Sequence, residues 1–276
     1  MLGDIFLPLL TYPVPTSRAV IERLPDLVRP FAKTISLCAI EILIPDVHSR
    51  LGGELIDVAG LIAAAEVESH AKGQALLEGL PRRVHGIELT GRAIQSTIGT
   101  MGGDAAALGR CHDLSVVLLD PLALDKKTLA EEMIFGSGGP VLLVPENIGT
   151  AWDIRRICLA WDGGRPAARA MRDGMDLLQM ADHVTLLTAT DDKPVGEQSI
   201  ADLKAFLARH EVEVEHREVT TRAMNVGAAL QRAAADDGAG LMIMGAFGRN
   251  RVTEFVLGGA TRTVLDEISL PILLSH

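Results

Sequence analysis

The stretch that most constrains the fold is residues 241–262, which read LMIMGAFGRNRVTEFVLGGATR. Four apolar residues, typical of a buried strand, run directly into Gly245 and Gly248, and Gly258-Gly259 precede a segment of helical period that begins near Ala260. Glycines at a strand end let backbone N–H groups approach an anion, and a helix N-terminus favours phosphate. Because ligands of open α/β sheets bind at the carboxyl ends of strands, this stretch predicts an anion site there.

Working outward, the rest of the second half alternates short apolar runs with longer amphipathic stretches, which is the pattern of βαβ units around a parallel sheet. The predicted strands are 157–161, 184–188, 212–217, 241–244 and 271–274. The predicted helices are 167–180, 198–210, 225–236 and 260–267. The second half therefore predicts five β-α steps.

The first half repeats this order, with predicted strands at 5–10, 36–44, 83–88, 115–119 and 141–144. Ser17-Arg18-Ala19 sits like Ala168-Arg169-Ala170 after the first strand, and Gly139-Pro140 precedes the last strand as Leu270-Pro271 does. The polar, Pro- and Gly-containing segment 145–150 lies between the two series. We predict a duplicated chain with domains 1–146 and 151–276.

The composition and net charge of the chain argue against several classes of function. The chain has 276 residues, 48% of them hydrophobic, and a net charge of −10, which argues against a nucleic-acid partner. No apolar run has the length of a membrane span. Cys38, Cys111 and Cys158 show no metal or redox spacing and are interpreted as buried thiols, and the first ten residues do not look like a secretion signal. A cytoplasmic protein without a membrane role is expected.

The spacing Gly-x2-Gly-x9-Gly at Gly245, Gly248 and Gly258 resembles the nucleotide-binding signature of the universal stress protein family. That resemblance implies an α/β, Rossmann-like fold of two tandem domains, each a five-stranded parallel sheet with helices on both faces. It also implies an adenine-nucleotide ligand, ATP, ADP or AMP, with or without Mg²⁺. The two domains would pack as an intramolecular pseudo-dimer, and two chains could associate further as a homodimer.

The resemblance also assigns roles by position. Asp162 would meet the adenine or ribose beside Ala160 and Trp161, and Ala189 would flank the base. Met244 and Gly245 would back the ribose, while Gly248 and Gly258 would line the phosphate path. The donors to phosphate would be Gly259, Ala260 and Thr261, with Arg249 and Arg251 as weaker candidates.

Three features of this site leave alternatives open. The family signature continues with Ser or Thr where this chain has Gly259, which leaves the identity of the nucleotide and the occupancy of the site open. Asp162, before Gly163-Gly164, is equally compatible with a turn in which its carboxylate caps its own backbone. Exposed arginines on a loop are often simply solvated.

The first half looks like a degenerate partner. Alignment on the Ser17 and Ala168 segments places Thr11 at the position of Asp162, and alignment of Leu119 with Met244 places Asp120-Pro121 at Gly245-Ala246, so no nucleotide site is expected there. Gly136–Gly139 is interpreted as a helix-to-strand turn, and Gly99–Gly103 as a loop before a helix near Asp104, which could cap it. The insert 46–81 predicts a helix over 58–80, and its two histidines do not make a metal site.

Neither a catalytic triad nor a paired carboxylate can be assigned, so a dedicated enzyme is not expected beyond slow ATP hydrolysis. The favoured function is an adenine-nucleotide-binding stress-response or regulatory protein with its site in the second half. The alternative is a tandem interaction module with a vestigial site. Strand 271–274 should form an apolar sheet edge, and we expect the two halves to pair through it.

Overall fold

The computed structural model describes residues 2–45, 57–148, 153–189, 195–221, 224–246 and 259–276. The first half contains β1 (Asp4–Leu10), α1 (Arg18–Val28), β2 (Thr34–Leu43), α2 (Val58–Leu77), β3 (Arg83–Val84), β4 (Ile87–Thr97), α3 (Met101–Gly109), β5 (Leu114–Leu119), α4 (Leu124–Gly136) and β6 (Val141–Pro145). The second half contains β7 (Arg156–Ala160), α5 (Arg165–Asp173), α6 (Met175–Met180), β8 (His183–Ala189), α7 (Glu197–Arg209), β9 (Val214–Val219), α8 (Val226–Asp236), β10 (Leu241–Gly245), α9 (Gly259–Asp266) and β11 (Ile272–Ser275).

All of these strands join one sheet of 11 strands, in the order β3-β4-β2-β1-β5-β6-β11-β10-β7-β8-β9. Within each half, five strands are mutually parallel. The halves meet where β6 pairs with β11 in antiparallel fashion, with Leu142 opposite Leu273. The α/β class is confirmed, but the prediction of two separate five-stranded sheets is corrected: the halves share one sheet, and β3 adds a short antiparallel strand.

The predicted pairing of the two halves through the closing strand is confirmed, because β11 lies between β10 and β6 instead of at an open edge. The residues of this junction are almost all fully buried and aliphatic. An apolar strand that would otherwise expose its edge is stabilised when a second strand satisfies its backbone groups.

Helices cover both faces of the sheet because successive strand residues point to opposite faces. Leu7 and Ile157 join a core layer with α1, α2, α5, α6 and α7, whereas Phe6 and Cys158 join the opposite layer with α3, α4, α8 and α9. Each layer runs through both halves of the molecule without a break. Because these strands are apolar on both faces, each face of the parallel sheet must be covered by helices.

Several local predictions need correction. The segment predicted as one strand at 83–88 is the hairpin of β3 and β4, with His85 and Gly86 at positive φ, and β4 continues to Thr97. The predicted helix 167–180 divides at Gly174, where a Cβ would lie 2.7 Å from Ile243 Cδ1. Met101 begins α3, so Gly102 and Gly103 are helical and not part of a preceding loop. The helix predicted in the insert is confirmed as α2.

Asp104 does not cap α3 as predicted. It lies inside the first turn, where its Oδ2 accepts hydrogen bonds from Ser96 Oγ (2.5 Å) and Thr100 Oγ1 (3.2 Å). By contrast, the turn after α4 is confirmed, with Ser137 closing the helix and Gly138 at a φ of +70°. The prediction of three buried thiols holds for Cys38 and Cys158, but Cys111 is exposed. Among the described helices, none has the length and apolarity to cross a membrane.

Candidate functional site

The candidate site lies where β7 and β10, neighbours in the sheet, both end. From β7 the chain crosses through α5 and α6 on one face, whereas α9, which follows β10, packs on the other face. When the connections that follow two adjacent parallel strands lie on opposite faces of the sheet, a crevice opens between the carboxyl ends of those strands. α/β proteins bind their ligands in such crevices. Of the predicted residues, Asp162 follows β7, Gly245 ends β10 and Gly259 begins α9, all at this edge.

Asp162 forms a tight turn immediately after β7. Its Oδ1 accepts a hydrogen bond from the Gly164 backbone N–H at 2.7 Å, and Gly163 has a φ of +73°, which a glycine adopts without strain. A Cβ at Gly164 would lie 2.8 Å from the same carboxylate oxygen. The structure therefore shows the turn-forming role of Asp162, while contact with a nucleotide remains a prediction.

Trp161 links β7 to the neighbouring β8 and to α7. Its backbone N–H donates to Leu187 O (2.8 Å), and its indole Nε1 donates to Ser199 Oγ (3.1 Å). The half-buried ring packs against the core layer on the α7 side. The Ala160 side chain is buried in the opposite layer, and Ala189 is the half-buried last residue of β8. These contacts fix the wall of the crevice on the β8 side.

Gly245 has a packing reason for being glycine. A Cβ there would lie 2.4 Å from the Ala167 nitrogen and 2.5 Å from the Pro166 carbonyl carbon, both in the first turn of α5. The start of α5 thus sits directly against the end of β10. Helix N-terminal N–H groups carry a partial positive charge, so α5 adds an anion-favouring feature that the sequence interpretation missed. The signal was present as Gly164-Arg165-Pro166, since Pro is favoured in a first helical turn.

The remaining described candidates lie at β10 and α9. Met244 is buried in the core, so only its backbone can face a ligand at this edge. Thr261 is also buried, Ala260 is half-buried, and the Gly259 carbonyl accepts a hydrogen bond from Thr263 Oγ1 (2.8 Å). A Cβ at Gly259 would meet no atom within 4 Å. The family's Ser or Thr would therefore have room at this position.

Gly248, Arg249, Arg251 and Gly258 lie outside the described residues, and their predicted roles remain predictions.

The sheet register corrects the alignment of the two halves. In β5 the Ser115 N–H donates to Pro140 O, and in β10 the Met242 N–H donates in the same way to Pro271 O, so Ser115 and Met242 are equivalent. Counting three residues on from each shows that Leu118, and not Asp120, is equivalent to Gly245. The Asp113 N–H donates to Asp4 O, and the Gly240 N–H donates in the same way to Arg156 O, so Asp4 and Arg156 are equivalent. Counting six residues on from each shows that Leu10, and not Thr11, is equivalent to Asp162. The sequence alignment was therefore off by two residues at the end of β5 and by one residue at the end of β1. The conclusion that the first half lacks both the carboxylate and the glycine is unchanged.

Other side chains occupy the equivalent edge of the first half. Lys126, 5% exposed in its side chain, forms an ion pair with Glu146 at 2.6 Å just after β6. Thr11 Oγ1 donates to Ile40 O (2.7 Å) and lies 2.6 Å from Ser69 Oγ of α2. An ion pair and a hydroxyl network thus lie at the carboxyl edge of the first half's strands.

Metal and thiol chemistry receive no support from the described part of the chain, which has no cluster of three His, Cys, Asp or Glu side chains. Burial, with the Asp237 carboxylate nearby, raises the pKa of Cys158 to about 12. Burial likewise raises the pKa of Cys38. Both thiols therefore stay protonated and unreactive at neutral pH.

The sheet order, with two sets of five parallel strands that meet at the β6–β11 junction, defines a doubled α/β fold. The sequence profile of the universal stress protein family matches residues 153–276. The second half of the chain is accordingly a domain of the universal stress protein family.

Solved structures extend the fold likeness to the whole chain. A universal stress protein from Archaeoglobus fulgidus DSM 4304 is similar at 14% identity, with 99% of this chain and 96% of that chain covered and a TM-score of 0.68. A putative universal stress protein from Pseudomonas aeruginosa UCBPP-PA14 is similar at 15% identity, with coverage of 99% and 93% and a TM-score of 0.56. No curated protein is recognisably similar in sequence. The tandem arrangement is thus shared at the level of the fold.

Proposed function

We propose that the protein is an adenine-nucleotide-binding regulator of the universal stress protein type, with one site per chain, in the second half. The observation that carries this proposal is the conjunction of the family match over residues 153–276 with the crevice between β7 and β10. The ligand would be ATP, ADP or AMP, with Mg²⁺ as an accompanying ion when phosphates are bound.

Several features of the crevice support a nucleotide. The N-terminal turn of α5 and the first turn of α9 both lie at the edge where β7 and β10 end, and each offers backbone N–H groups that favour phosphate. Asp162 and Ala189 follow or end adjacent strands on the side where a nucleoside would lie. The equivalent edge of the first half carries Leu118 and the Lys126–Glu146 pair, which supports a single site.

Regulation, and not dedicated catalysis, is the proposed role, with at most slow ATP hydrolysis. Occupancy would change the packing of the two lobes or the choice of a protein partner.

The test is nucleotide content and affinity of the full chain. The purified protein is denatured, the released small molecules are separated by chromatography, and the nucleotide-free protein is titrated calorimetrically with ATP, ADP and AMP. Gly248→Val, which places a branched side chain in the predicted phosphate path, should abolish binding. Gly139→Val is the matched control, because a Cβ there meets no atom within 4 Å and the residue lies in the first half.

A second function is favoured by a specific observation. Gly245 is explained by its contact with α5, and Asp162 by its turn, so both residues have structural reasons to be present in a chain that binds nothing. In that case the protein is a tandem interaction module with a vestigial site. Absence of released nucleotide together with flat titrations for all three nucleotides would overturn the nucleotide-binding proposal and favour this alternative.

A further inference from the structure

The outer edge of β4 is a long strand edge with little protection. β4 pairs with β2 over ten residues, from Thr34 opposite Glu88 to Leu43 opposite Thr97. On its other side, β3 covers only Ile87 and Glu88. The segment from Leu89 to Thr97 is therefore the edge of the whole 11-stranded sheet.

The hydrogen-bonding groups of this edge can be assigned by residue. The Leu89 N–H donates outward, to Arg82 O at 2.9 Å. Because the backbone groups of successive strand residues alternate in direction, Gly91, Ala93, Gln95 and Thr97 also present N–H and C=O groups outward. The residues from Thr90 to Ala93 are exposed. In the described part of the chain, α2 reaches this stretch only through Leu77, whose side chain lies against Gly91.

Natural sheets protect such edges with charges, prolines or bulges. The opposite edge of this sheet follows that rule, since the six residues of β9 include Glu215, Arg217 and Glu218. Between Leu89 and Thr97, Arg92 is the one charged residue and there is no proline. The two edges of the same sheet therefore differ in how they resist pairing.

We propose that β4 is an interaction surface for a second copy of this chain. The two β4 strands pair in antiparallel fashion about a twofold axis at Ile94, and the two sheets become continuous. In this register Ile94 faces Ile94 of the second copy, Ala93 faces Gln95, and Arg92 faces Ser96. Moving the axis by one residue, to Ala93, would set Arg92 against Ile94. Moving it by two residues, to Arg92, would set Arg92 against its own copy, and like charges directly opposite are destabilising.

The junction between the two halves shows how this fold supports such a contact. There, the antiparallel pairing of β6 with β11 brings α4 and α9 together, and Lys127 Nζ contacts Asp266 Oδ1 at 2.7 Å. A twofold axis through paired β4 strands would likewise place α2 of both copies on the same face of the sheet. α2 lies on that face beside β4, with Leu77 against Gly91, and its residues Ala63 and Val67 are exposed, Val67 by 69%.

A second copy suits this surface better than other partners because the strand is self-complementary. A closed twofold contact uses the same surface on both molecules, and every facing pair in the proposed register is uncharged or pairs Arg92 with a hydroxyl. A charged peptide would gain one ion pair with Arg92 at most.

The first experiment measures mass in solution by sedimentation and light scattering over a range of concentrations. The wild type should approach twice the chain mass of 29.4 kDa. Ala93→Pro should shift it to a monomer, because the outward N–H is lost while the inward ladder to β2 remains. Ala93→Ser is the control and should still dimerise. A wild type that stays monomeric, or a folded Ala93→Pro variant that stays dimeric, would overturn the proposal.

The second experiment tests the register without relying on a folded proline variant. In a Cys111→Ser background, Ile94→Cys should form an interchain disulfide under mild oxidation, since directly opposite residues of a non-hydrogen-bonded pair lie about 4.5 Å apart at Cα. Arg92→Cys in the same background should not. Cross-linking of Arg92→Cys alone, or of neither variant, would reject this pairing.

Discussion

At the scale of single residues, two glycines of the candidate site, Gly245 and Gly259, differ in what surrounds them. Gly245 is in contact with the first turn of α5, whereas Gly259 faces open space. We expect Gly245→Ala to lower the free energy of unfolding by about 1–3 kcal/mol, because the added methyl group must displace the Pro166–Ala167 backbone. Gly259→Ala should be neutral or slightly stabilising, since alanine favours helix. Urea unfolding of both variants measures the difference, and equal midpoints would refute this packing role.

Gly259 also allows the departure from the family pattern to be tested directly. Gly259→Ser should raise nucleotide affinity by roughly threefold to tenfold, because a new hydrogen bond contributes about 0.5–1.5 kcal/mol and a Cβ at this position meets no atom within 4 Å. The readout is calorimetric titration with ATP. Gly259→Ala separates the hydroxyl from the helix effect, and an equal gain in both variants would mean that the hydroxyl does not touch phosphate.

The three cysteines should differ sharply in reactivity. The pKa of Cys158 is raised to about 12 by burial and by Asp237, and burial raises the pKa of Cys38, so both thiols form thiolate less readily than an exposed cysteine. Cys111 is exposed. A chromogenic disulfide reagent at pH 8 should therefore titrate one thiol rapidly in the native protein and three in denaturant. Rapid reaction of a Cys111→Ser variant would contradict the assignment.

At the scale of elements, regular periodicity predicted most strands and helices to within a few residues, because each strand is a short aliphatic run between helices. The errors have identifiable causes. The β3–β4 hairpin turns at His85-Gly86, a dipeptide with charged residues close on both sides. Gly174 separates α5 from α6, and a Cβ there would lie 2.7 Å from Ile243 Cδ1, a contact that the sequence does not reveal. The candidate site residues come from the family resemblance that the glycine spacing carries, and their roles stay predictions. The α5 contact and the register of the first half depend on tertiary packing, which no local pattern encodes.

The Lys126–Glu146 pair attaches the start of α4 to the end of β6. Lys126→Met should lower the free energy of unfolding by about 3–5 kcal/mol, because Glu146 would keep its charge in a partly buried position without a partner. The double variant Lys126→Met/Glu146→Gln should recover much of this loss, since it removes the uncompensated charge. Chemical denaturation of both variants measures the coupling, and additive losses would show that the ion pair has little energetic importance.

At the scale of the whole molecule, the shared sheet predicts that the two halves unfold together. The β6–β11 pairing and two core layers that run through both halves couple their stabilities. We expect Leu37→Ala, in β2 of the first half, to cost about 2–5 kcal/mol and to shift the unfolding of the second half equally. Leu186→Ala, in β8, is the reciprocal change, and both residues are buried. Both tryptophans, Trp152 and Trp161, belong to the second half of the sequence, so tryptophan fluorescence reports on that half, whereas far-UV circular dichroism reports on both halves. If the fluorescence and dichroism transitions in urea coincide in both variants, the two halves form one cooperative unit. If Leu37→Ala leaves the fluorescence midpoint unshifted and makes the dichroism curve biphasic, the halves unfold independently despite the common sheet.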